Sequence, residues 1–244
     1  MNYKIKIIYD GTKYKGWQRL GNGELTIQGK IEEILTKYFR INVEIIGSSR
    51  TDAGVHAAGQ IANFHIDKEL NLQMFLKEIN HYLPEDISIT TISKEDERFH
   101  SRFNVSKKVY RYRIWTSSIG DPFNRKYYYQ IEDELDIDKM KSVAEVFTGI
   151  HDFTTFTNAK SKKKSMEREV YKIDIINKKS YIDVVFTGNG FLYNMIRRMM
   201  TIIIDAGLNN INAKNARRML EAKDRSLVKY MVPAKGLMLM EIKY

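Results

Sequence analysis

Apolar and polar residues alternate through Tyr3-Lys4-Ile5-Lys6-Ile7-Ile8-Tyr9, the period of two expected of a strand with one face on a core. Past a glycine-spotted loop, Ile27, Ile31, Ile34, Leu35 and Tyr38 recur at helical spacing behind Thr26, a suitable N-cap, and predict an amphipathic helix. Ile61 to Ile66 reads as a strand, Leu72, Phe75, Leu76, Ile79 and Leu83 as a second helix face, and Ile87 to Ile92 as a strand after Pro84. The second half repeats the style. Val109 to Trp115 reads as a strand, Met140, Val143, Ala144 and Phe147 as a helix face, and Val170 to Ile176 with Tyr181 to Phe186 as a strand pair turning at Asn177-Lys178-Lys179-Ser180. A long helix from about Phe191, a shorter one from about Ala213 and a closing strand Leu237 to Tyr244 complete the pattern. The halves share an element order without a residue-level repeat. Polar residues cluster between Asn104 and Lys107, so one α+β lobe is expected over residues 1–105 and another over 106–244. A basic run near 158–168, containing Lys160-Ser161-Lys162-Lys163-Lys164, interrupts the second lobe and reads as a solvated loop able to grip phosphates.

A chain of 244 residues has room for two such lobes, and 43% hydrophobic with 29% charged residues excludes a disordered or collagenous polymer. The absence of cysteine excludes a disulfide, a thiolate nucleophile, an iron–sulfur cluster and cysteine-ligated zinc, and leaves the cytoplasm as the expected location. Forty Lys and Arg against 30 acids give a net charge of +10, which favours an acidic partner, nucleic acid ahead of a membrane surface. The opening Met1-Asn2-Tyr3-Lys4-Ile5 lacks the apolar core of a signal peptide. Phe191 to Leu208 is the most apolar stretch, but Arg197, Arg198 and Asp205 interrupt it, so it is expected to be a buried soluble helix and not a membrane span.

Familiar catalytic signatures are incomplete. Asp10-Gly11-Thr12 has Ile8 where an aspartyl-phosphate motif needs its nucleophile, and Gly188-Asn189-Gly190 has Tyr193 where a dinucleotide fingerprint needs glycine. No P-loop occurs, and the five histidines His56, His65, His81, His100 and His151 include no metal-binding pair. ATP dependence and a histidine zinc site are therefore not expected. The segment Gly47-Ser48-Ser49-Arg50-Thr51-Asp52-Ala53-Gly54-Val55-His56-Ala57 is small, polar and turn-prone, with an apolar strand behind it. An Arg-x-Asp in such a loop is commonly a structural ion pair or a turn cap.

The run Arg50-Thr51-Asp52-Ala53-Gly54-Val55-His56-Ala57, however, resembles the signature of the tRNA pseudouridine synthase A family. Further blocks resemble the family in order along the chain: Tyr9 to Gln18, Thr26 to Gly29, Phe99-His100-Ser101-Arg102-Phe103 with Tyr110-Arg111-Tyr112, Gly149 to Phe153, Gly190 to Arg197, and Pro233 to Leu237. The resemblance implies the pseudouridine synthase fold: α+β, two similar lobes forming a mainly antiparallel sheet, helices on one side and a central catalytic cleft. It implies isomerisation of uridine to pseudouridine in tRNA, at positions 38–40 of the anticodon stem-loop, by a cofactor-free homodimer. In that reading Asp52 is the catalytic aspartate, Arg197 the cation that keeps it ionised, Tyr110 the stacking tyrosine and Arg50 the residue that holds the flipped nucleotide. Gln18, His56, His100, Arg102 and His151 are candidates for RNA contact or for ordering the catalytic loop, Lys107 and Lys108 for RNA binding, and Arg198 for phosphate or solvent. Ser49, Thr201 and Lys229-Tyr230-Met231-Val232 depart from the family pattern, which leaves open a paralogue acting on another tRNA or ribosomal RNA uridine. Two rivals are a catalytically silent RNA-binding protein and a metal-assisted hydrolase; the next acid after Asp52 is Asp67, which disfavours the second.

Overall fold

A computed structural model describes residues 1–21, 23–103, 105–159 and 165–244, so the Lys160 to Lys164 part of the expected basic run lies outside the described residues. The chain divides into two compact units, Met1–Ser106 with Met238–Tyr244, and Lys107–Leu237.

The first unit contains β1 (Asn2–Tyr9), α1 (Ile27–Phe39), β2 (Ile45–Gly47), β3 (His56–His65), α2 (Leu72–Tyr82), β4 (Ile87–Glu95) and the last strand of the chain, β10 (Leu237–Lys243). The alternation at the start of the chain works as expected: Tyr3, Ile5, Ile7 and Tyr9 are buried, and the lysines between them are half-exposed. β1 runs antiparallel to β3 on one edge and to β4 on the other. The free edge of β3 is shared, with β2 antiparallel at Ala62–Phe64 and β10 parallel at His56 and Ala57. Thr26 caps α1, its Oγ1 accepting from Gly29 N at 3.2 Å. Phe64 of β3, Phe39 of α1 and Phe75 of α2 form one aromatic cluster, Phe39 and Phe75 stacking at 5.7 Å between ring centres, which ties both helices to the sheet.

The second unit holds β5 (Lys107–Trp115), β6 (Tyr129–Gln130), α3 (Ile137–Val146), β7 (Gly149–Asp152), β8 (Glu167–Asn177), β9 (Tyr181–Gly188), α4 (Met195–Gly207) and α5 (Ala213–Ala222). Its sheet runs β5-β9-β8-β7, antiparallel throughout, with the two-residue β6 parallel to β5. β9 alternates strictly, burying Ile182, Val184, Phe186 and Gly188. α4 is buried on nearly all sides and packs against α3, which also touches α5 and β8. Both units are thus α+β with mainly antiparallel pairing. No helix among the described residues is long and apolar enough to cross a membrane.

Three differences from the sequence expectations have identifiable physical causes. α4 begins at Met195 and not near Phe191, because Asn194 takes a left-handed conformation (φ 62°) that ends the preceding turn; Phe191 instead packs edge-on against Tyr110. β2, β6 and β7 are two to four residues long, too short to carry a readable period. β10 groups with the N-terminal unit, because its partner β3 lies far back in the chain.

Gly59 lets β10 approach β3: a Cβ there would lie 2.3 Å from Met240 O. Gly59→Ala is expected to cost about 1–3 kcal/mol, read as a lower urea midpoint. Gly21→Ala, with nothing within 4 Å, is expected to change stability by less than about 0.5 kcal/mol.

Candidate active site

Asp52 is half-buried in the loop between β2 and β3. The loop closes on a β-turn, Asp52-Ala53-Gly54-Val55, in which Asp52 O accepts from Val55 N at 3.1 Å and Gly54 has φ +76°. Positive φ at the third position is what a type II turn requires. Backbone bonds hold the loop against the segment after β1: Trp17 N donates to Thr51 O at 3.0 Å and Gly54 N to Tyr14 O at 3.3 Å. Side chains add two ties, Tyr9 OH with Thr51 Oγ1 at 2.8 Å, and Gly11 N donating to His56 Nδ1 at 3.1 Å. The contact is too close for side chains: a Cβ on Gly11 would stand 2.0 Å from Val55 O, and one on Gly16, itself at φ +97°, 2.6 Å from Thr51 O. The Tyr9 to Gln18 block therefore acts as the bed of the Asp52 loop.

His56 is 1% exposed and belongs to that bed. Its Nδ1 also lies 3.2 Å from Asp10 Oδ1. Both contacts tie the start of β3 to the Asp10-Gly11 segment. Gln18 is half-buried next to Trp17. Gln60, not singled out in the sequence, clamps the backbone before Arg50, its Nε2 donating to Ser49 O at 2.7 Å and its Oε1 accepting from Ser49 N at 3.3 Å. The available signal was a glutamine amid the small and apolar residues of Ala57 to Ala62. Arg50 is exposed. Arg102 comes near it: burial first, and then the charge of Arg50, lower the pKa of Arg102.

In the second unit, Tyr110 and Tyr112 lie on one face of β5, both buried. Tyr112 OH donates to Pro233 O at 2.8 Å, and Arg197 Nε, from the first turn of α4, donates to the adjacent Val232 O at 2.9 Å. Burial raises the Tyr112 hydroxyl well above its usual pKa, and the charge of Arg197 partly opposes this. One helical turn on, Thr201 Oγ1 accepts from Val232 N at 3.2 Å and donates to Arg197 O at 3.0 Å. Two of the three departures from the family pattern thus meet in one network. Lys107 and Lys108 start β5, half-buried. His151 in β7 bonds its own turn through Nε2 and Thr148 O at 2.8 Å.

Arg198, expected at phosphate or solvent, is 7% exposed, and its guanidinium donates to Thr155 O, Asn158 Oδ1 and Arg225 O. Helical spacing turned Arg198 away from the Arg197 face, and the packed turns at 154–158 and 225 supplied acceptors that no pattern announced. No group of three or more His, Asp or Glu side chains among the described residues is placed to hold a metal.

The family model for tRNA pseudouridine synthase matches residues 6–104 and 143–244. The chain belongs to the tRNA pseudouridine synthase family. It is 47% identical over 243 residues to tRNA pseudouridine synthase A of Bacillus sp. (strain KSM-64), covering 100% of this chain and 99% of the relative. With tRNA pseudouridine synthase A 2 of Bacillus cereus (strain ZK / E33L) the identity is 45% at the same coverage. With tRNA pseudouridine synthase A 1 of Clostridium tetani it is 42%, again with 100% and 99% covered. A solved Cbf5-Nop10-Gar1 complex aligns at 11% identity and TM-score 0.32, over 83% of this chain and 54% of that one, too slight a likeness to bear on the assignment. Asp52 and Arg197 fall within the matched segments and Tyr110 between them.

Two variants test how this synthase holds its site. Gly16→Ala, forcing Thr51 and so Asp52 to move, is expected to slow single-turnover isomerisation about a hundredfold. Thr201→Val keeps the shape but strips the partner from Val232 N, and should cost about 1–3 kcal/mol in thermal or urea unfolding, with Thr201→Ser restoring most of the loss.

Proposed function

We propose that this tRNA pseudouridine synthase acts on uridines 38–40 of the anticodon stem-loop, with Asp52 as its catalytic carboxylate. The reaction breaks the bond from C1′ to N1 of uracil and joins C1′ to C5; the C5 proton leaves and N1 gains one, so no electrons are exchanged. A carboxylate beside a sugar and a stacked base suits this chemistry. Tyr110 serves as the aromatic platform for the extruded base, Arg197 as the cation that keeps the carboxylate ionised in the enzyme–RNA complex, and Arg50 as the holder of the flipped nucleotide. Lys107, Lys108 and the basic run near 158–168 add phosphate contacts. The observation that carries the reading is the Asp52 turn itself, a half-buried carboxylate on a loop pinned by its own backbone and flanked by an exposed arginine.

The net charge of +10 supports an RNA partner. A homodimer working on cytoplasmic tRNA is part of the proposal, and light scattering with and without tRNA tests the assembly: a strict monomer in both overturns it. A second reading, a paralogue with a different target uridine, draws support from the two relatives of Clostridium tetani, named tRNA pseudouridine synthase A 1 and A 2, at 42% and 37% identity to this chain.

RNA carrying tritium at uracil C5 tests the proposal. Wild-type protein is expected to release tritium from tRNA without nucleotide or added metal, and Asp52→Asn to abolish release while still binding RNA. Release undiminished in Asp52→Asn overturns the assignment, and mapping of the products to positions other than 38–40 favours the second reading.

A further inference from the structure

Phe103 is 79% exposed, yet it sits on a turn with several long-range hydrogen bonds to the rest of the first unit. The turn runs from His100 to Phe103, with Phe103 N donating to His100 O at 3.2 Å. Each residue near it is tied to something rigid. Asn2 Nδ2 donates to Phe99 O at 2.8 Å. Ser101 N donates to Asn63 Oδ1 at 3.0 Å, Ser101 Oγ to Ile46 O, and Ser101 O accepts from Tyr244 OH at 2.9 Å. Arg102 N donates to His100 Nδ1 at 3.1 Å, which fixes the imidazole ring. Asn63 in turn bonds Asn2, so the turn rests on a buried polar network beneath β1 and β3.

On this support the rings of His100 and Phe103 stack, 4.2 Å between centres and 26° between planes. An exposed phenyl ring on a mobile loop would need no explanation. A ring stacked on a second ring, carried on a tied-down backbone turn and left open to water, is a surface suited to further stacking.

The charge beside it narrows what that is. Arg102 follows His100 by two residues and reaches back to Gly47 O at 3.4 Å, three residues before Arg50. The lowered pKa of Arg102, set by burial and by Arg50, agrees with two guanidiniums held near each other. Like charges brought together beside an aromatic face suit a nucleotide, whose base offers a π-face and whose phosphates take the arginines.

We propose that His100 and Phe103 form a stacking platform for an unpaired RNA base adjacent to the target uridine, with Arg102 and Arg50 on its phosphates. This rests on the reading of the chain as an RNA-modifying enzyme and adds to it a second base-binding position. Arg50 lies two residues before Asp52, which makes the captured base a close neighbour of the reacting one. Stacking of this kind tolerates any base but requires an unpaired one, so the platform selects loop nucleotides over duplex.

The test uses anticodon stem-loop RNAs with 2-aminopurine at successive loop positions, bound to the full-length protein carrying Asp52→Asn so that no turnover occurs. With Phe103 intact, fluorescence is expected to be quenched at one position. Adding Phe103→Ala should remove that quenching and raise Kd about tenfold; Phe103→Trp should keep both, and Phe103→Leu should behave as Phe103→Ala. Unchanged affinity and quenching in Phe103→Ala overturn the platform, as does rescue by leucine, which would make bulk and not the ring the requirement. A change of oligomeric mass in Phe103→Ala assigns the ring to contact with a second copy and also overturns it. Failure of wild-type protein to release tritium would refute the enzymatic reading alone, since quenching and affinity are read without turnover.

Discussion

The position of Asp52 depends on direct backbone contact between two loops that lie far apart in the chain. Trp17 N on Thr51 O and Gly54 N on Tyr14 O bring the loops together, and Gly11 and Gly16 are glycines because the opposing carbonyls occupy the space of a Cβ. Main-chain atoms have few degrees of freedom, so a carboxylate mounted on such a contact is held without a large side-chain entropy cost at the moment RNA binds. Much of the first unit follows from this. β3 begins at His56 because Val55 closes the turn; His56 is buried because it seals the far side of the contact, and Gln60 extends the same grip to the residue before Arg50.

The second unit holds its arginines differently. Arg197 and Arg198 are neighbours in sequence, but the helix turns them apart, one to a carbonyl of the 230–233 segment and the other into the interior. Burying a guanidinium is expensive unless its donors find partners, and Arg198 finds them on Thr155, Asn158 and Arg225. The charge of Arg225 and burial together lower the pKa of Arg198, burial being the larger cause. Arg197 has less to overcome, being half-buried, and Tyr112 and Thr201 secure the segment it leans on. A buried Arg198 thus joins the turns at 154–158 and 225, which precede and follow α4 in the chain.

Residue patterns along the chain determined a good deal. Period two in β1 and β9, and helical spacing with a threonine cap in α1, gave their elements correctly because each buries one face and the burial is written in the spacing. The Asp52 loop was legible through an eight-residue match, and the charge pointed to an acidic partner. Other features had no local signature. The start of α4 depended on one left-handed asparagine, β2, β6 and β7 were too short for a period, and the pairing of β10 with β3 joined segments about 180 residues apart in a contact that no neighbouring residue encodes. The inward turn of Arg198, the bed under Asp52 and the stacked rings of His100 and Phe103 were likewise decided only by tertiary structure. Sequence periodicity records which face of an element is buried; which distant backbone comes to lie against that face, and which polar groups it must satisfy, is settled only when the chain closes on itself.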